Sequence, residues 1–596
     1  MQSKLDILLV NSMAPRQRIA SDAALENSLA LLRTYLEDKN FRAEIVDEQR
    51  ISATEAGVPK WCLKLLQFIV WLQMKAYRQK ARYFWLILML VGWPIQALAM
   101  HYRNQYLHHK IDNIIQTIRD NKIHLLGIKV WYGDAFKWSK MLATKVKAAC
   151  PEVIIIAGGP QIKVYGEYVF QDTDFDVAIM GPGEEILEKM IVLDRQVNSK
   201  SEFLHRFHEE ISPSRLVKAG IFQCRDAAVA SQEHSYQHII PRYRAVDLQD
   251  KLLFHTLVDG FGCSWNQCNF CSHTRQAFYQ PRPVQEIVKE FEVMSRQGIG
   301  FFRFSSSETP VEHGKDIAQA IMEKGLRVNY SMFVRAVKVT PEVYDAYCLL
   351  IQSGLRAVFM GGETGHDLIN EKVMNKGIHK KELIDTINCI KLAATAVGKS
   401  CRVGLSLIYP TPVVDGVTLQ DVFEENIRLI QETLPDTVIV NPPAVFPETY
   451  WMNNAAAFGF SIAPDFVNNM MQYEYSTYKP VELWGNLGFA LQGKTTPEIV
   501  KETGRLRTAI TAMGIPTDIS DECLMMTEAI GYTTKAALLQ FKNESLQDIM
   551  SGSNRYMREV IEKINAQGRK MVNSKHNAPH NDLSIHTSSH AASDIN

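Results

Sequence analysis

Three cysteines within nine residues, Cys263, Cys268 and Cys271, are the strongest chemical signal in this 596-residue sequence. They follow an apolar run at 252–258 that predicts a β-strand, so we expect them on the loop after it. Three thiolates on one loop can hold three irons of a cubane iron–sulfur cluster, which normally takes four cysteine ligands. No fourth cysteine is near, which leaves one iron open, as a catalytic metal keeps a free position. The spacing therefore favours a cluster that takes part in chemistry.

His273 provides an alternative, because a Cys3His set could hold a structural zinc ion. Such zinc sites usually consist of two ligand pairs on separate knuckles with a loop between them. Here all four candidates fall between Cys263 and His273, which leaves little room for a closed tetrahedral cage. The spacing favours iron–sulfur over zinc.

Size and composition indicate a globular protein of two or three domains, since 46% of the residues are hydrophobic. Lys and Arg number 65, as do Asp and Glu, so the formal net charge is zero. This balance argues against nucleic acid as the main partner. The other seven cysteines are scattered singly, and no signal-peptide pattern opens the sequence. We therefore expect a reducing, cytoplasmic location.

The first third of the sequence alternates apolar strands with amphipathic helices. The strands are expected at 5–10, 41–47, 124–130, 153–157 and 177–181, and the clearest helices at 21–39 and 135–149. This order predicts a doubly wound, Rossmann-like parallel α/β sheet over residues 1–195, with a ligand crevice at the carboxyl ends of its strands. Two glycine-rich turns fall at those ends and would let a large ligand approach the backbone, although structural turns are an alternative. They are Gly158-Gly159-Pro160-Gln161 and Gly181-Pro182-Gly183-Glu184.

After a connector at 196–248, six strand–helix units follow over residues 249–455. The strands are expected at 252–258, 301–305, 328–333, 357–361, 402–408 and 437–440. Six such units predict a partial (β/α)6 barrel, whose chemistry lies at the carboxyl ends of the strands. Polar residues interrupt the apolar runs near those ends: Glu308, Arg335, Glu363 and Ser406.

The order of these two domains resembles the cobalamin-binding radical S-adenosylmethionine (SAM) enzymes, over roughly residues 4 to 455. In that family the front domain carries Gly-Gly-Pro-His-like and Gly-Glu-Gly-Glu-like turns, which correspond here to the two turns at 158–161 and 181–184. The resemblance implies bound cobalamin. The Asp-x-His-x-x-Gly signature is absent, which implies that no histidine of the chain ligates the cobalt.

The resemblance also includes motifs of the barrel. By this resemblance, the three cysteines imply a [4Fe–4S] cluster with SAM bound to its open iron. Phe270 resembles the aromatic residue near the adenine of SAM, and Glu308 the acidic residue that ends the second strand. Three further segments resemble those of the family: Gly361-Gly362-Glu363, Asn375-Lys-Gly and Pro447-Glu-Thr449. With SAM bound there, Glu308, Arg335 and Glu363 would contact its ribose or methionine groups, and Ser406 of the fifth strand is a further candidate contact. One departure is the first spacing of the loop, with four residues between Cys263 and Cys268 where three are usual.

By resemblance, the predicted activity is methylation of an unactivated carbon in a small molecule, peptide or lipid-like substrate. An external flavodoxin- or ferredoxin-like protein would supply electrons. A cyclising or rearranging enzyme of the same family is the alternative, and a non-catalytic cobalamin or iron–sulfur sensor is a third. Methylthiolation is disfavoured, because only three scattered cysteines precede the loop.

An apolar insertion at about 55–110 interrupts the front domain. Its run at 83–100 has no charged residue and is near the lower limit for a membrane span. We expect a pair of helices buried against neighbouring elements of a soluble protein, with a membrane-associated hairpin or interfacial helix as the alternative.

The rest of the chain is expected to form a helical domain at 456–570 that closes the barrel. Its aromatic residues, which either line a substrate pocket or fill a core, are Tyr473, Tyr475, Tyr478 and Trp484. Residues 571–596 are predicted to be a disordered tail. The tail contains four histidines that could bind metal weakly: His576, His580, His586 and His590.

Overall fold

The structure is a computed structural model, and it describes residues 5–14, 23–79, 81–211, 214–217, 220–224, 239–272, 279–473 and 485–574. Several predicted features lie outside the described residues. These are His273, Tyr475, Tyr478, Trp484 and the four tail histidines.

The front domain is built on a seven-stranded sheet with the order β2-β1-β3-β4-β5-β7-β6. The strands are β1 (Ile7–Asn11), β2 (Ala43–Val46), β3 (Leu125–Lys129), β4 (Ile154–Gly158), β5 (Val177–Met180), β6 (Ser214–Val217) and β7 (Gly220–Cys224). All are parallel except β6, which pairs antiparallel with β7. The predicted doubly wound sheet is confirmed. Because the order reverses between β1 and β3, a crevice forms where these two strands end.

Helices cover both faces of this sheet. They are α1 (Asn27–Asp38), α2 (Lys60–Arg78), α3 (Arg82–Asn121), α4 (Asp134–Ala149), α5 (Pro160–Tyr165), α6 (Glu184–Asp194) and α7 (Lys200–Glu210). The 40 residues of α3 make a helix about 60 Å long. Its second half buries Ile111, Ile114 and Ile118 and forms the crossover to β3. Its first half leaves the sheet and pairs with α2 as a hairpin.

The expectation that this hairpin is buried is wrong. Leu90 is 75% exposed and Trp93 is 72% exposed, and other large apolar side chains around them are exposed as well. In the described part of the chain, Tyr83–Asn121 is the one helix whose length and composition would allow a membrane crossing, and 17% of its apolar window is buried. The cause is geometric: α2 covers one side of α3, and no described element covers the other.

The second sheet has six parallel strands in the order β15-β14-β13-β12-β11-β8, which confirms the predicted partial barrel. After α8 (Ala245–Leu248), its strands are β8 (Phe254–Leu257), β11 (Phe301–Phe304), β12 (Asn329–Val334), β13 (Leu355–Glu363), β14 (Arg402–Ile408) and β15 (Thr437–Asn441). A short hairpin, β9 (Gly260–Phe261) and β10 (Gln280–Pro281), flanks the cysteine loop. The outer helices are α9 (Val284–Arg296), α10 (Val311–Glu323), α11 (Pro341–Ser353), α12 (Asp367–Ile369), α13 (Lys380–Val397) and α14 (Leu419–Thr433).

The carboxy-terminal part is mainly helical but includes a small antiparallel sheet. Its elements are α15 (Tyr450–Asn453), β16 (Phe460–Ile462), α16 (Phe466–Gln472), β17 (Phe489–Leu491), β18 (Lys494–Thr495), α17 (Thr496–Ala512), α18 (Asp521–Ala529), α19 (Lys535–Ser551) and α20 (Arg555–Asn573). Helix α18 packs against β11 to β14, where it shares a buried cluster with Phe301 and Ala357. This part therefore closes the barrel at the start of its strands.

Two buried ion pairs fix the connector and the start of the barrel against the front domain. Arg33 of α1 lies 2.6 Å from Asp247, and Lys251, just before β8, lies 2.6 Å from Asp47. The side chains of Arg33 and Lys251 are both 2% exposed. Breaking a buried pair leaves an uncompensated charge, so these contacts oppose separation of the two domains.

Candidate active site

The cysteine loop is fastened to the turn that follows β13. The Asn269 backbone N–H donates to the Met374 carbonyl at 3.0 Å, and its side-chain amide donates to the Val373 carbonyl at 3.0 Å. In return, the Asn375 amide donates to the Gln267 carbonyl at 2.8 Å. Trp265 donates its indole N–H to the Asn375 carbonyl at 2.7 Å. These bonds hold the loop in place through main-chain, amide and indole groups, and none of them uses a thiol.

The three thiols differ in their surroundings. Cys268 is buried, whereas Cys263 and Cys271 are partly buried. Burial raises the pKa of Cys268 to about 12, while the nearby Lys376 acts in the opposite direction. A thiol in this environment becomes a thiolate when a cationic metal centre replaces its proton. Within the described ranges, no three His, Cys, Asp or Glu side chains are gathered closely enough for a single metal ion.

Lys376 and Glu363 form a buried ion pair beside this loop. The Lys376 ammonium lies 2.8 Å from the Glu363 carboxylate, and their side chains are 14% and 9% exposed. Burial alone would lower the pKa of Lys376, but Glu363 and Cys268 outweigh it and the pKa is raised. Lys376 therefore carries a positive charge next to a cysteine expected to ligate iron.

Glycines make room for this pair and for the indole beside it. A Cβ on Gly361 would lie 2.5 Å from the Glu363 carboxylate and 2.9 Å from the Lys376 ammonium. Gly377 has a φ of +63°, and a Cβ there would lie 2.3 Å from the Trp265 ring. A Cβ on Gly362 would lie 2.9 Å from Leu405 of β14. The predicted Gly361-Gly362-Glu363 turn thus has a packing role in addition to any ligand contact.

Arg335 is the second cation at the loop. Its guanidinium lies 4.8 Å from the centre of the Trp265 ring and donates to the carbonyls of Lys376 and Gly377. Phe270, on the same loop, has its ring centre 6.0 Å from the Lys376 ammonium and 5.7 Å from the centre of the Trp451 ring. The structure therefore brings three predicted site residues, Phe270, Arg335 and Glu363, together around Lys376.

Glu308 holds the beginning of the loop. Its buried carboxylate accepts hydrogen bonds from the backbone N–H of Ser264, at 3.0 Å, and from the Ser264 hydroxyl. Behind it, the buried Asp259 accepts from the backbone N–H and hydroxyl of Ser306 and from the hydroxyl of Thr309, at 3.1, 2.7 and 2.8 Å. Burial raises the pKa of Asp259. Ser406 lies apart from this group, and its hydroxyl accepts from the Asn441 amide at 3.3 Å.

The two glycine-rich turns lie at the ends of β4 and β5. Gly159 has a φ of +95°, and a Cβ there would lie 3.0 Å from Lys129. The Gly158 carbonyl accepts from the Val130 N–H at 2.8 Å, while the buried Gln161 side chain turns toward the Met471 carbonyl at 3.2 Å. The second turn has Gly181 at a φ of +104° and a buried Glu184 at the start of α6, after Gly183.

The turn at 158–161 leads to the cysteine loop through α5, which begins at Pro160. Lys163 of this helix is exposed to solvent, yet desolvation by neighbouring atoms lowers its pKa. Cys271 lies near enough to act on the same pKa in the opposite direction. Lys163 of the front domain therefore lies within electrostatic range of the cysteine loop.

A cavity of about 660 Å³ lies between the front domain and the barrel interior. It opens at the ends of β1 and β3, where Met13, Lys129, Trp131 and Tyr132 line it, and it reaches Arg303 in the barrel. Cavities of this size hold small-molecule ligands and cofactors. Among the described residues, its lining includes neither the three cysteines nor the residues of the two glycine-rich turns.

The cavity walls contain residues that the sequence did not single out. Lys129 lies 2.6 Å from Glu26 and 4.8 Å from the centre of the Trp131 ring, whose N–H donates to Asn11 at 3.1 Å. Burial raises the pKa of Tyr132 to about 12, so its hydroxyl stays neutral. The sequence feature that could have indicated this cavity is the aromatic pair Trp131-Tyr132, which comes directly after the apolar strand β3.

Comparisons with known proteins agree with this architecture. Residues 88–191 match the B12 binding domain family. No curated protein matches the chain in sequence. Among solved structures, the radical S-adenosylmethionine methyltransferase TsrM from Kitasatospora setae, with tryptophan substrate and a SAM analog bound, is similar at a TM-score of 0.61 and 14% identity. The match covers 91% of this chain and 100% of TsrM.

Two further structures show the same fold. TsrM with cobalamin and a [4Fe-4S] cluster bound gives a TM-score of 0.60 at 14% identity, over 92% of this chain and 99% of that one. The apo form of OxsB, a cobalamin-dependent SAM radical enzyme, gives 0.50 at 14% identity, over 92% of this chain and 72% of OxsB. The chain therefore has the fold of the cobalamin-dependent radical SAM enzymes, with a B12-binding domain in front of a (β/α)6 barrel. The predicted resemblance is confirmed at this level.

Proposed function

We propose that the chain is a cobalamin-dependent radical SAM enzyme that methylates an unactivated carbon of a small-molecule, peptide or lipid-like substrate. The single observation that supports this most is the cysteine loop of the (β/α)6 barrel, fastened beside Lys376 and Arg335. When bound, the cluster and SAM supply radical chemistry and cobalamin supplies a methyl carrier.

The residues present fit an iron–sulfur cluster. Cys263, Cys268 and Cys271 provide three thiols on one loop, and ligation of iron requires all three as thiolates. Lys376 and Arg335 place two cations beside the developing negative charge and thereby stabilise it. The hydrogen bonds to the 373–375 segment hold the loop before any metal arrives, which reduces the entropy cost of ligation.

The protein would hold SAM with the polar groups around the loop. Glu308, Glu363 and Arg335 are close to the cysteine loop and offer charges that suit the amino, carboxylate and ribose groups of SAM. Phe270 offers an aromatic ring for the adenine. Cobalamin would occupy the cavity where β1 and β3 end, because that is the crevice in which doubly wound domains bind large ligands.

Anaerobic reconstitution with iron and sulfide tests the cluster. We expect about four irons per chain and an electron paramagnetic resonance signal, after reduction, that changes when SAM is added. Cys268→Ser should lose iron and signal, whereas Cys348→Ser, in a half-buried cysteine of α11, should keep both. Zinc in place of iron, or equal iron in both variants, would refute the assignment.

Release of 5′-deoxyadenosine and transfer of a labelled methyl group test the reaction. A reduced flavodoxin or ferredoxin is the proposed electron source. Cleavage of SAM without methyl transfer to any offered substrate would support the cyclising or rearranging class instead. A fully loaded protein that never cleaves SAM would act as a sensor, and the enzymatic proposal would then be wrong.

A further inference from the structure

The hairpin of α2 and α3 presents large apolar side chains to solvent along both of its helices. Eleven of the eighteen exposed large apolar side chains in the described part of the chain belong to it. They are Trp61, Leu65, Phe68, Trp71, Tyr83, Phe84, Leu86, Ile87, Leu90, Val91 and Trp93. The other seven are scattered singly over the molecule, as is normal for a soluble protein. An apolar cluster of this extent marks an interaction surface.

The opposite side of the hairpin is well packed, so the exposed face sits on an ordered support. Cys62, Leu66 and Ala99 form a buried cluster between the two helices. The Gln73 amide donates to the Leu88 carbonyl at 3.0 Å, and a Cβ on Gly92 would lie 3.0 Å from Gln73. Helix α2 also packs against α19. The face is therefore prefolded, and exposure of its side chains is a property of the folded chain.

The charge of the hairpin has a single sign. Between Glu55 and Asp112 the sequence contains no Asp or Glu, although the whole chain has a formal net charge of zero. The same interval contains eight basic residues: Lys60, Lys64, Lys75, Arg78, Lys80, Arg82, Arg103 and Lys110. Of these, Arg103 is buried and donates to the Gly552 carbonyl, and Lys110 pairs with Glu48, whereas Lys60, Lys64 and Lys75 are exposed. A surface that combines aromatic side chains with exposed lysines matches the interface of an anionic bilayer.

We propose that this hairpin docks on the surface of an anionic lipid bilayer, with its apolar face in the interfacial region. Lys64 and Lys75 lie within α2, and α2 is in contact with α19, so the hairpin is suited to lie on a bilayer and not to cross it. The Lys75 ammonium lies 5.3 Å from the centre of the exposed Trp71 ring. With this indole in the interfacial region, the ammonium would reach the lipid headgroups beside it. A second copy of the chain fits poorly, because pairing would bring two strongly basic surfaces together.

Flotation of the full-length protein with vesicles tests this proposal. Vesicles with about one-third phosphatidylglycerol should bind at least about tenfold more protein than pure phosphatidylcholine, and added salt should weaken the binding. The double variant Leu90→Glu with Trp93→Glu should lose binding, because both side chains are exposed and the fold does not need them. Leu392→Glu is the matched control, since Leu392 is a 63% exposed leucine on α13. Circular dichroism verifies that all variants are folded.

Further measurements separate the alternatives. Lys60→Glu with Lys64→Glu should remove the preference for anionic vesicles. Brominated lipids should quench tryptophan fluorescence of the wild type only with shallow bromine positions, whereas deep quenching would mean that the hairpin crosses the bilayer. A wild-type dimer in solution that Leu90→Glu converts to monomer would identify a second copy as the occupant. Either of these results, or failure to bind anionic vesicles, overturns the proposal, and none depends on the enzymatic activity.

Discussion

Replacement of Lys376 tests whether the buried ion pair holds the cysteine loop. In Lys376→Gln the Glu363 carboxylate keeps its charge but loses the ammonium 2.8 Å away, in a site where both side chains are less than 15% exposed. Removing one partner of a buried pair costs about 3–5 kcal/mol. Because the pair retains some exposure, we expect a value near the lower limit, about 3 kcal/mol.

Amide hydrogen exchange at Asn269 measures this loss where it acts. The Asn269 N–H donates to the Met374 carbonyl, two residues before Lys376, so it exchanges when the loop separates from this turn. A loss of about 3 kcal/mol corresponds to exchange about a hundredfold faster in the metal-free, reduced protein. This readout is local, which avoids assigning one unfolding free energy to a chain of several domains.

Two variants make the test specific to the buried charge. Lys381→Gln removes a lysine that is 84% exposed and pairs with Asp385 at 2.8 Å, and an exposed pair contributes at most about 1 kcal/mol. Adding Glu363→Gln to Lys376→Gln removes the uncompensated carboxylate and should restore part of the protection. If Lys376→Gln and Lys381→Gln exchange at the same rate, or if the double variant gains nothing, the ion pair does not hold the loop.

Two further predictions concern the turn beside the loop and the floor of the barrel. Gly377→Ala should lower the melting temperature and the iron loading far more than Gly398→Ala. Both glycines have φ near +65°, but only at Gly377 would the added Cβ lie 2.3 Å from an aromatic ring. Equal effects of the two substitutions would show that backbone strain alone matters. Asp521 is buried, and desolvation raises its pKa to about 7. Its folded form therefore binds a proton that the unfolded chain releases near pH 4, so its contribution to stability decreases from about pH 4 to pH 7. Relative to the wild type, Asp521→Asn should become more stable as the pH rises through this window in thermal unfolding; a constant difference between the two would contradict the shift.

The barrel was predictable because each of its strands is an apolar run that ends in polar or glycine-rich residues. The six predicted strands all occur, and Gly361 and Glu363 lie at the end of β13 as expected. The pair β6 and β7 was missed because these strands are short and extend the sheet only through long-range pairing with β5. Local patterns specify which segments are apolar, but sheet edges depend on partners distant in sequence.

The candidate site was predictable in its residue types but less so in its contacts. The sequence indicated Glu363 and the Asn375-Lys-Gly run separately, and only the fold brings Lys376 against Glu363 across thirteen residues. For the hairpin of α2 and α3, the prediction from composition was wrong. Its apolar composition suggested burial, but whether an apolar helix is buried depends on what packs over it, and no described element covers this face.

The apolar face and the cavity share one helix, which couples them mechanically. Arg103, Tyr106 and Leu107 of α3 line the cavity, and Leu90 lies on the same helix about 20 Å from Arg103. If the hairpin is held by a bilayer, the wall of the cavity loses freedom as well, so anionic vesicles should slow amide exchange at Tyr106 and Leu107. The slowing of amide exchange should persist in the control variant Leu392→Glu and disappear in Leu90→Glu. Vesicle binding without any change at these amides would mean that the helix flexes between the two regions, and the cavity would then be independent of the docking surface.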